Sequence, residues 1–99
     1  MTVAHMSLPA TLTQAQAASV ARELQAAINN KQGVFVLDTS AIQSFDSSAL
    51  AVLLGACRAA AHGHVQLQIT GLPARAAQLA ALYGLTDILA AHLPAKTAN

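Results

Sequence analysis

The sequence predicts an α/β fold in which helices pack on a small central β-sheet, and three segments carry that prediction. Val34–Leu37 is an unbroken apolar run rich in β-branched residues, which is typical of a strand buried on both faces. After Asp46, apolar residues recur at helical spacing. Val65, Leu67 and Ile69 then alternate with polar residues, which predicts a half-buried strand. Strand, helix and strand in this order form a right-handed crossover, so the two strands should run parallel.

The segment before the first helix predicts a short edge strand. Thr2–Leu12 carries a weak alternation that Pro9 interrupts, and proline is tolerated only at the edges or ends of strands. If this edge runs antiparallel, the central sheet is mixed, and a small mixed sheet is what we expect. Thr13 followed by Gln16 fits a capping box. The apolar spacing that follows predicts a helix over Gln14–Asn29.

The central helix is expected to begin at Asp46, Ser47 and Ser48, whose side-chain oxygens can accept hydrogen bonds from the free amides of a first turn. Its spacing predicts an inward face that carries Leu50, Leu53, Leu54, Cys57 and Ala61. The outward side has small residues and one cation, which favours close approach of a partner helix, although an alanine-rich surface alone would look the same. These outward residues are Ala51, Gly55 and Arg58, with Ala59 and His62 beside them.

The C-terminal third predicts two more helices, which brings the total to about four. Ala74 to Tyr83 should form the first, anchored by Leu79, Leu82 and Tyr83. Gly84 is expected in the left-handed conformation, with the next residue, Leu85, folding back onto the helix. Thr86 and Asp87 can cap a last helix over Ile88–His92, and residues 95–99 should be a frayed tail. We expect residues 1–99 to form a single domain.

Composition excludes several classes of function. Only 9% of the residues are charged and the net charge is +1, which leaves no basic field for nucleic acid. No apolar stretch approaches the roughly 18 residues of a membrane span, and Met1–Pro9 lacks the pattern of a secretory signal. The lone cysteine, Cys57, excludes a disulfide framework and fits a buried thiol in the reducing cytoplasm. Low charge and abundant alanine predict weak self-association.

No catalytic, metal or cofactor site is predicted. The four histidines have no Cys or Glu at ligand spacing, so we expect no metal. Ser47 has no general base held by a third group, as nucleophilic catalysis requires. Gly55 and Gly71 stand alone, without the spacing of a phosphate-binding loop. We therefore expect a protein that is not an enzyme and that binds no cofactor.

Two short segments resemble the central motif of STAS domains: Leu37-Asp38-Thr39-Ser40, which ends the buried strand, and Phe45-Asp46-Ser47-Ser48-Ala49-Leu50, which starts the central helix. In the anti-sigma factor antagonists of this family, the first hydroxyl residue after the motif's Asp is the regulatory phosphorylation site. The resemblance therefore implies that Ser47 is a phosphorylation or regulatory residue. Asp38, Ser40, Asp46 and Ser48 support the motif, and the two acids would flank the phosphate. A glycine usually follows the hydroxyl pair, where this chain has Ala49.

A third segment, Leu79–Leu85 with the sequence LAALYGL, is similar to the STAS subunits of Mla-type phospholipid-trafficking ABC transporters. This resemblance implies a subunit that binds a cytoplasmic ATPase and serves outer-membrane lipid asymmetry. The expected interface is Ser47, Ala51, Gly55 and Arg58. The alternative is an anti-sigma factor antagonist that is switched by serine phosphorylation and has an anti-sigma factor kinase as its partner. A stand-alone enzyme or small-molecule carrier is the third hypothesis.

Overall fold

The computed structural model describes residues 3–29 and 33–93. The predicted α/β class is confirmed, with four helices in these residues. The predicted tail at 95–99 and most of the predicted turn at 29–33 lie outside the described residues. The elements follow in chain order: β1 (Val3–Ser7), β2 (Thr11–Leu12), α1 (Gln14–Asn29), β3 (Val34–Asp38), β4 (Ser44–Phe45), α2 (Ser47–Gly63), β5 (Gln66–Thr70), α3 (Ala74–Leu82) and α4 (Thr86–Ala90).

The three longer strands form one sheet in the order β1-β3-β5. β3 and β5 run parallel, as predicted, and β1 is an edge strand. The expectation of a mixed sheet is not met, because β1 also runs parallel to β3, with Val3 opposite Val34 and Ser7 opposite Asp38. The cause is α1, which carries the chain from the end of β1 back to the start of β3. Strand, helix and strand connected in this way give a parallel pair.

The core lies on one face of this sheet. Phe35 and Leu37 of β3 are buried together with residues of α1 and α2. On the other face, Val34 and Val36 are only half-buried. The interpretation of β3 as a strand buried on both faces is therefore wrong. Val34 and Val36 lie beside side chains of β1 and β5, which shield them partly. Neighbouring strands can therefore account for the apolar run.

The first two helices pack against each other as well as on the sheet. α1 has the predicted bounds, and the Gln16 side-chain carbonyl accepts a hydrogen bond from the Thr13 amide at 2.9 Å, as in a capping box. α2 also buries a second face beside the predicted one, formed by Val52, Ala56 and Ala59. Ala59 was expected outside, and Ala61, expected inside, is exposed. The periodicity identified one buried face, whereas α2 also packs along α1 and so buries a wider arc.

The anchoring residues of α3 differ from the prediction. Ala76 and Ala80 are buried and Leu79 is half-buried, whereas Leu82 is 83% exposed and Tyr83 is 58% exposed. Leu82 follows Ala80 by two residues, which turns its side chain about 200° round the helix, away from the core. Tyr83 follows the last helical residue, with backbone angles of φ −93° and ψ 3°, so helical spacing does not set its direction.

The end of α3 has the predicted cap. Gly84 has a φ of +73°, its amide donates to the carbonyl of Ala81, and the Leu85 amide donates to that of Ala80. This pair of hydrogen bonds is a Schellman motif. α4 starts at Thr86, earlier than predicted, and the preceding Leu85 makes no side-chain capping bond. Thr86 and Asp87 therefore lie inside the helix instead of capping it.

Candidate functional site at the start of the central helix

A two-stranded sheet brings the starts of α1 and α2 side by side. β2 immediately precedes α1, β4 immediately precedes α2, and the two strands pair in parallel, with Thr11 opposite Ser44 and Leu12 opposite Phe45. The guanidinium of Arg75 in α3 lies 5.7 Å from the centre of the Phe45 ring in β4, within cation–π distance. β4 is only two residues long.

Asp46 occupies the junction of the two helices. One of its carboxylate oxygens accepts a hydrogen bond from the Ser48 amide at 2.8 Å, which makes Asp46 the N-cap of α2. Its other oxygen accepts a hydrogen bond from the amide of Gln14, the first residue of α1, at 3.1 Å. The sequence predicts that Asp46 supports the motif and can cap α2. It gives no sign of the contact with α1, because the partner amide is 32 residues away.

Ser47 is the first residue of α2, and it is exposed. It does not provide the side-chain cap of α2, since the Asp46 carboxylate fills that role. The other residues proposed for a partner interface are Ala51, Gly55 and Arg58, which are all exposed. Spacings of three and four residues place these side chains and that of Ser47 along one stripe of α2. Their role in binding stays a prediction, as does phosphorylation of Ser47.

Asp38 and Ser40 form a separate turn after β3. The Asp38 carboxylate accepts hydrogen bonds from the Ser40 amide at 2.9 Å and from the Ser40 hydroxyl at 2.7 Å. Between them, Thr39 is fully buried, and its hydroxyl donates to the carbonyl of Thr70 in β5 at 2.7 Å. This turn also packs on Gly71. The hydrogen bonds of Asp38 lie within its own turn, so the prediction that it flanks a phosphate on Ser47 stays a prediction.

An apolar groove of about 250 Å³ runs between α1 and α2, next to Ser47. From α1 it is lined by Ala17, Ala18 and Ala21, and from α2 by Ser48, Ala51 and Val52. The α1 side was not predicted, because a groove between two helices depends on how the helices pack and not on the spacing within either one. The sequence does show a cluster of small residues on α1, since the alanines at 17, 18 and 21 lie on neighbouring turns of the helix.

Two other features bear on chemistry. Burial raises the pKa of the Cys57 thiol, which keeps it protonated and poorly nucleophilic.

An open cleft of about 390 Å³ runs along the outer edge of β5 and is lined by Gln66, Leu67, Gln68 and His92, among others. Ligands of open α/β sheets bind beyond the carboxyl ends of the strands, whereas this cleft follows the edge of one strand. Its position therefore does not support the carrier hypothesis.

Acid should destabilise this site. Hydrogen bonds from Ser48 and Gln14 lower the pKa of Asp46 below its ordinary value of 3.8, and those from Ser40 lower the pKa of Asp38. A carboxylate with a lower pKa in the folded state stabilises the protein above the unfolded pKa, and this contribution is lost as the pH falls through the folded pKa. We expect a constant melting temperature above about pH 5 and a decline below about pH 4. Asp46→Asn should reduce the decline, and a melting temperature that is independent of pH in the parent would contradict this prediction.

Comparisons with known proteins agree with the observed architecture. The sequence model of a family described as "Mlab, STAS domain" matches residues 2–91. The crystal structure of a sulfate transporter family protein from Wolinella succinogenes superposes with a TM-score of 0.72 over 92% of this chain and 75% of that chain, at 15% sequence identity. At that identity, the likeness supports the fold alone. A search of curated proteins finds no match. In the described part of the chain, no helix is long and apolar enough to cross a membrane. Since the family match covers nearly the whole chain and the fold agrees with it, the protein belongs to the STAS domain family.

Proposed function

We propose that this protein is a non-enzymatic STAS subunit that binds and regulates the cytoplasmic ATPase of a phospholipid-trafficking, Mla-type ABC transporter. The transporter would maintain the lipid asymmetry of the outer membrane, and the subunit would reach the membrane only through the complex. The description of the matching family as "Mlab, STAS domain" supports this branch of STAS proteins. The proposal includes weak self-association of the free subunit, which partner binding would replace.

The observation that carries the proposal is the exposed stripe of α2 beside the groove. Ser47, Ala51 and Gly55 present little side-chain bulk, so a helix of the partner can approach the backbone of α2 closely. The groove supplies apolar area next to them, and most of its lining is alanine. Arg58, at the far end of the stripe, would fix the orientation of the partner through a carboxylate. This combination of a small-residue apolar centre and a charged rim is typical of protein interfaces.

Co-purification tests the proposal. When the tagged protein is produced together with the ATPase subunit of a Mla-type transporter, both should elute as one complex in size-exclusion chromatography. Adding the protein should change the rate of ATP hydrolysis by the ATPase, while the protein alone should hydrolyse none. Recovery of a kinase-type anti-sigma factor in the absence of any complex with the ATPase would contradict the proposal.

That outcome would favour the second candidate, an anti-sigma factor antagonist. The observation in its favour is the exposure of Ser47 at the first position of α2, where a kinase could reach the hydroxyl. A phosphate there would add roughly −1.5 to −2 charges at a helix N-terminus, which favours negative charge. Mass spectrometry after incubation with the anti-sigma factor and ATP would reveal a phosphate on Ser47, and its absence would exclude this candidate.

A further inference from the structure

The groove between α1 and α2 has little side-chain bulk to fix its width. Ala17, Ala18 and Ala21 face Ala51 across it, and alanine side chains are too short to interlock. Away from the groove, the buried faces of the two helices pack against each other, so the width of the groove itself depends on how the helix ends beside it are held. At the end next to Ser47, the polar contact between them is the Asp46 carboxylate, which accepts one amide from each helix.

This carboxylate is well suited to hold two helices. Each oxygen serves one helix start, at 2.8 Å for the Ser48 amide and 3.1 Å for the Gln14 amide. Hydrogen bonds to an ionised acceptor are stronger than those between neutral groups. The partial positive charges at the two N-termini also attract the carboxylate. Pairing of β2 with β4 brings both helix starts to this point. The Asp46 carboxylate then links them through its two hydrogen bonds.

We propose that Asp46 is a positioning residue for the partner surface: by capping α1 and α2 with one carboxylate, it holds the two helices at the separation that the partner recognises. The inference rests on the proposed function, because it concerns the surface assigned to the ATPase. That surface includes the groove, to which the first two turns of α1 contribute Ala17, Ala18 and Ala21. Asp46 then has a role that differs from the capping of a single helix, since the shape of the groove depends on both of its hydrogen bonds.

The variant Asp46→Asn separates these two roles. Asparagine is as good an N-cap as aspartate, so its one carbonyl oxygen should keep the bond to the Ser48 amide. Its NH2 group replaces the second oxygen and cannot accept from Gln14. In ¹⁵N–¹H spectra of the free protein, the amide signals of Gln14, Ala17 and Ala18 should therefore move, whereas the Ser48 amide should keep its hydrogen bond. The affinity for the ATPase should fall by about tenfold.

Asp38→Asn is the matched control. It makes the same chemical change in a carboxylate whose hydrogen bonds lie within one turn, to Ser40, so it should leave both the α1 signals and the affinity unchanged. If Asp46→Asn binds the ATPase as tightly as the parent, the inference is overturned. If the parent itself does not bind the ATPase, the proposed function fails first. The spectra of the free protein then still test whether Asp46 positions α1 relative to α2. Unmoved signals at Ala17 and Ala18 would show that it does not.

Discussion

Ser47→Asp is expected to weaken binding of the partner ATPase by more than about tenfold while leaving the fold intact. Ser47 is exposed at the first turn of α2, where a negative charge interacts favourably with the helix dipole. The folded protein should therefore tolerate the new carboxylate. In the complex, the same carboxylate would have to lose its water against a partner surface, and an unpaired buried charge is costly. Calorimetric titration with the ATPase and thermal melts of the free variant measure the two effects separately.

Ser47→Ala is the control, and the structure changes its expected effect. The sequence alone makes Ser47 one of three residues that could cap α2, and loss of a cap would cost stability. Since Asp46 provides the cap, Ser47→Ala should change the free energy of unfolding by less than about 0.5 kcal/mol, as at an ordinary surface position. It should also bind the ATPase as the parent does, as should Ser47→Thr. An Asp variant that binds as tightly as these two would remove Ser47 from the interface.

Gly71→Ala should cause a large loss of stability. Gly71 has a φ of +69°, and an added Cβ would lie 2.7 Å from the Cβ of Ser40 and 3.1 Å from its Cα. A left-handed backbone costs roughly 1–2 kcal/mol for a residue other than glycine, and overpacking adds roughly 1–3 kcal/mol. Relief of the contact would push back the turn in which the Thr39 hydroxyl donates to Thr70. We expect a loss of at least about 2 kcal/mol in urea unfolding.

Gly84→Ala is the control that separates the cost of the left-handed backbone from the cost of the contact between residue 71 and Ser40. Gly84 has a similar φ of +73°, but nothing lies within 4 Å of the position that a Cβ would take. The free energy of unfolding of this variant should fall only by the cost of a left-handed backbone, roughly 1–2 kcal/mol. The difference between the two variants then measures the contact with Ser40. Equal losses at the two glycines would show that the turn after β3 moves aside freely, contrary to the prediction.

Interactions between residues near each other in the sequence were predictable. The bounds of α1 follow from its apolar spacing and from Thr13 and Gln16, which are three residues apart. The Schellman motif at Gly84 joins residues within one turn. Family membership was predictable for a similar reason, because the strand end at Asp38 and the helix start at Asp46 carry a recognisable motif. Each of these features lies within a short window of sequence, where propensity and periodicity determine the structure.

Tertiary structure decided the features that depend on distant partners. The direction of β1 is set by the return path of α1, and the two-residue strands β2 and β4 have too few residues for a propensity signal and form only by pairing with each other. The sequence by itself determined the four helices of the described residues, the parallel pairing of β3 with β5 and a start of α2 at Asp46, Ser47 and Ser48. Only the tertiary structure placed the amide of Gln14 on the Asp46 carboxylate, because that hydrogen bond requires two helix starts, far apart in the chain, to meet at one end of the fold.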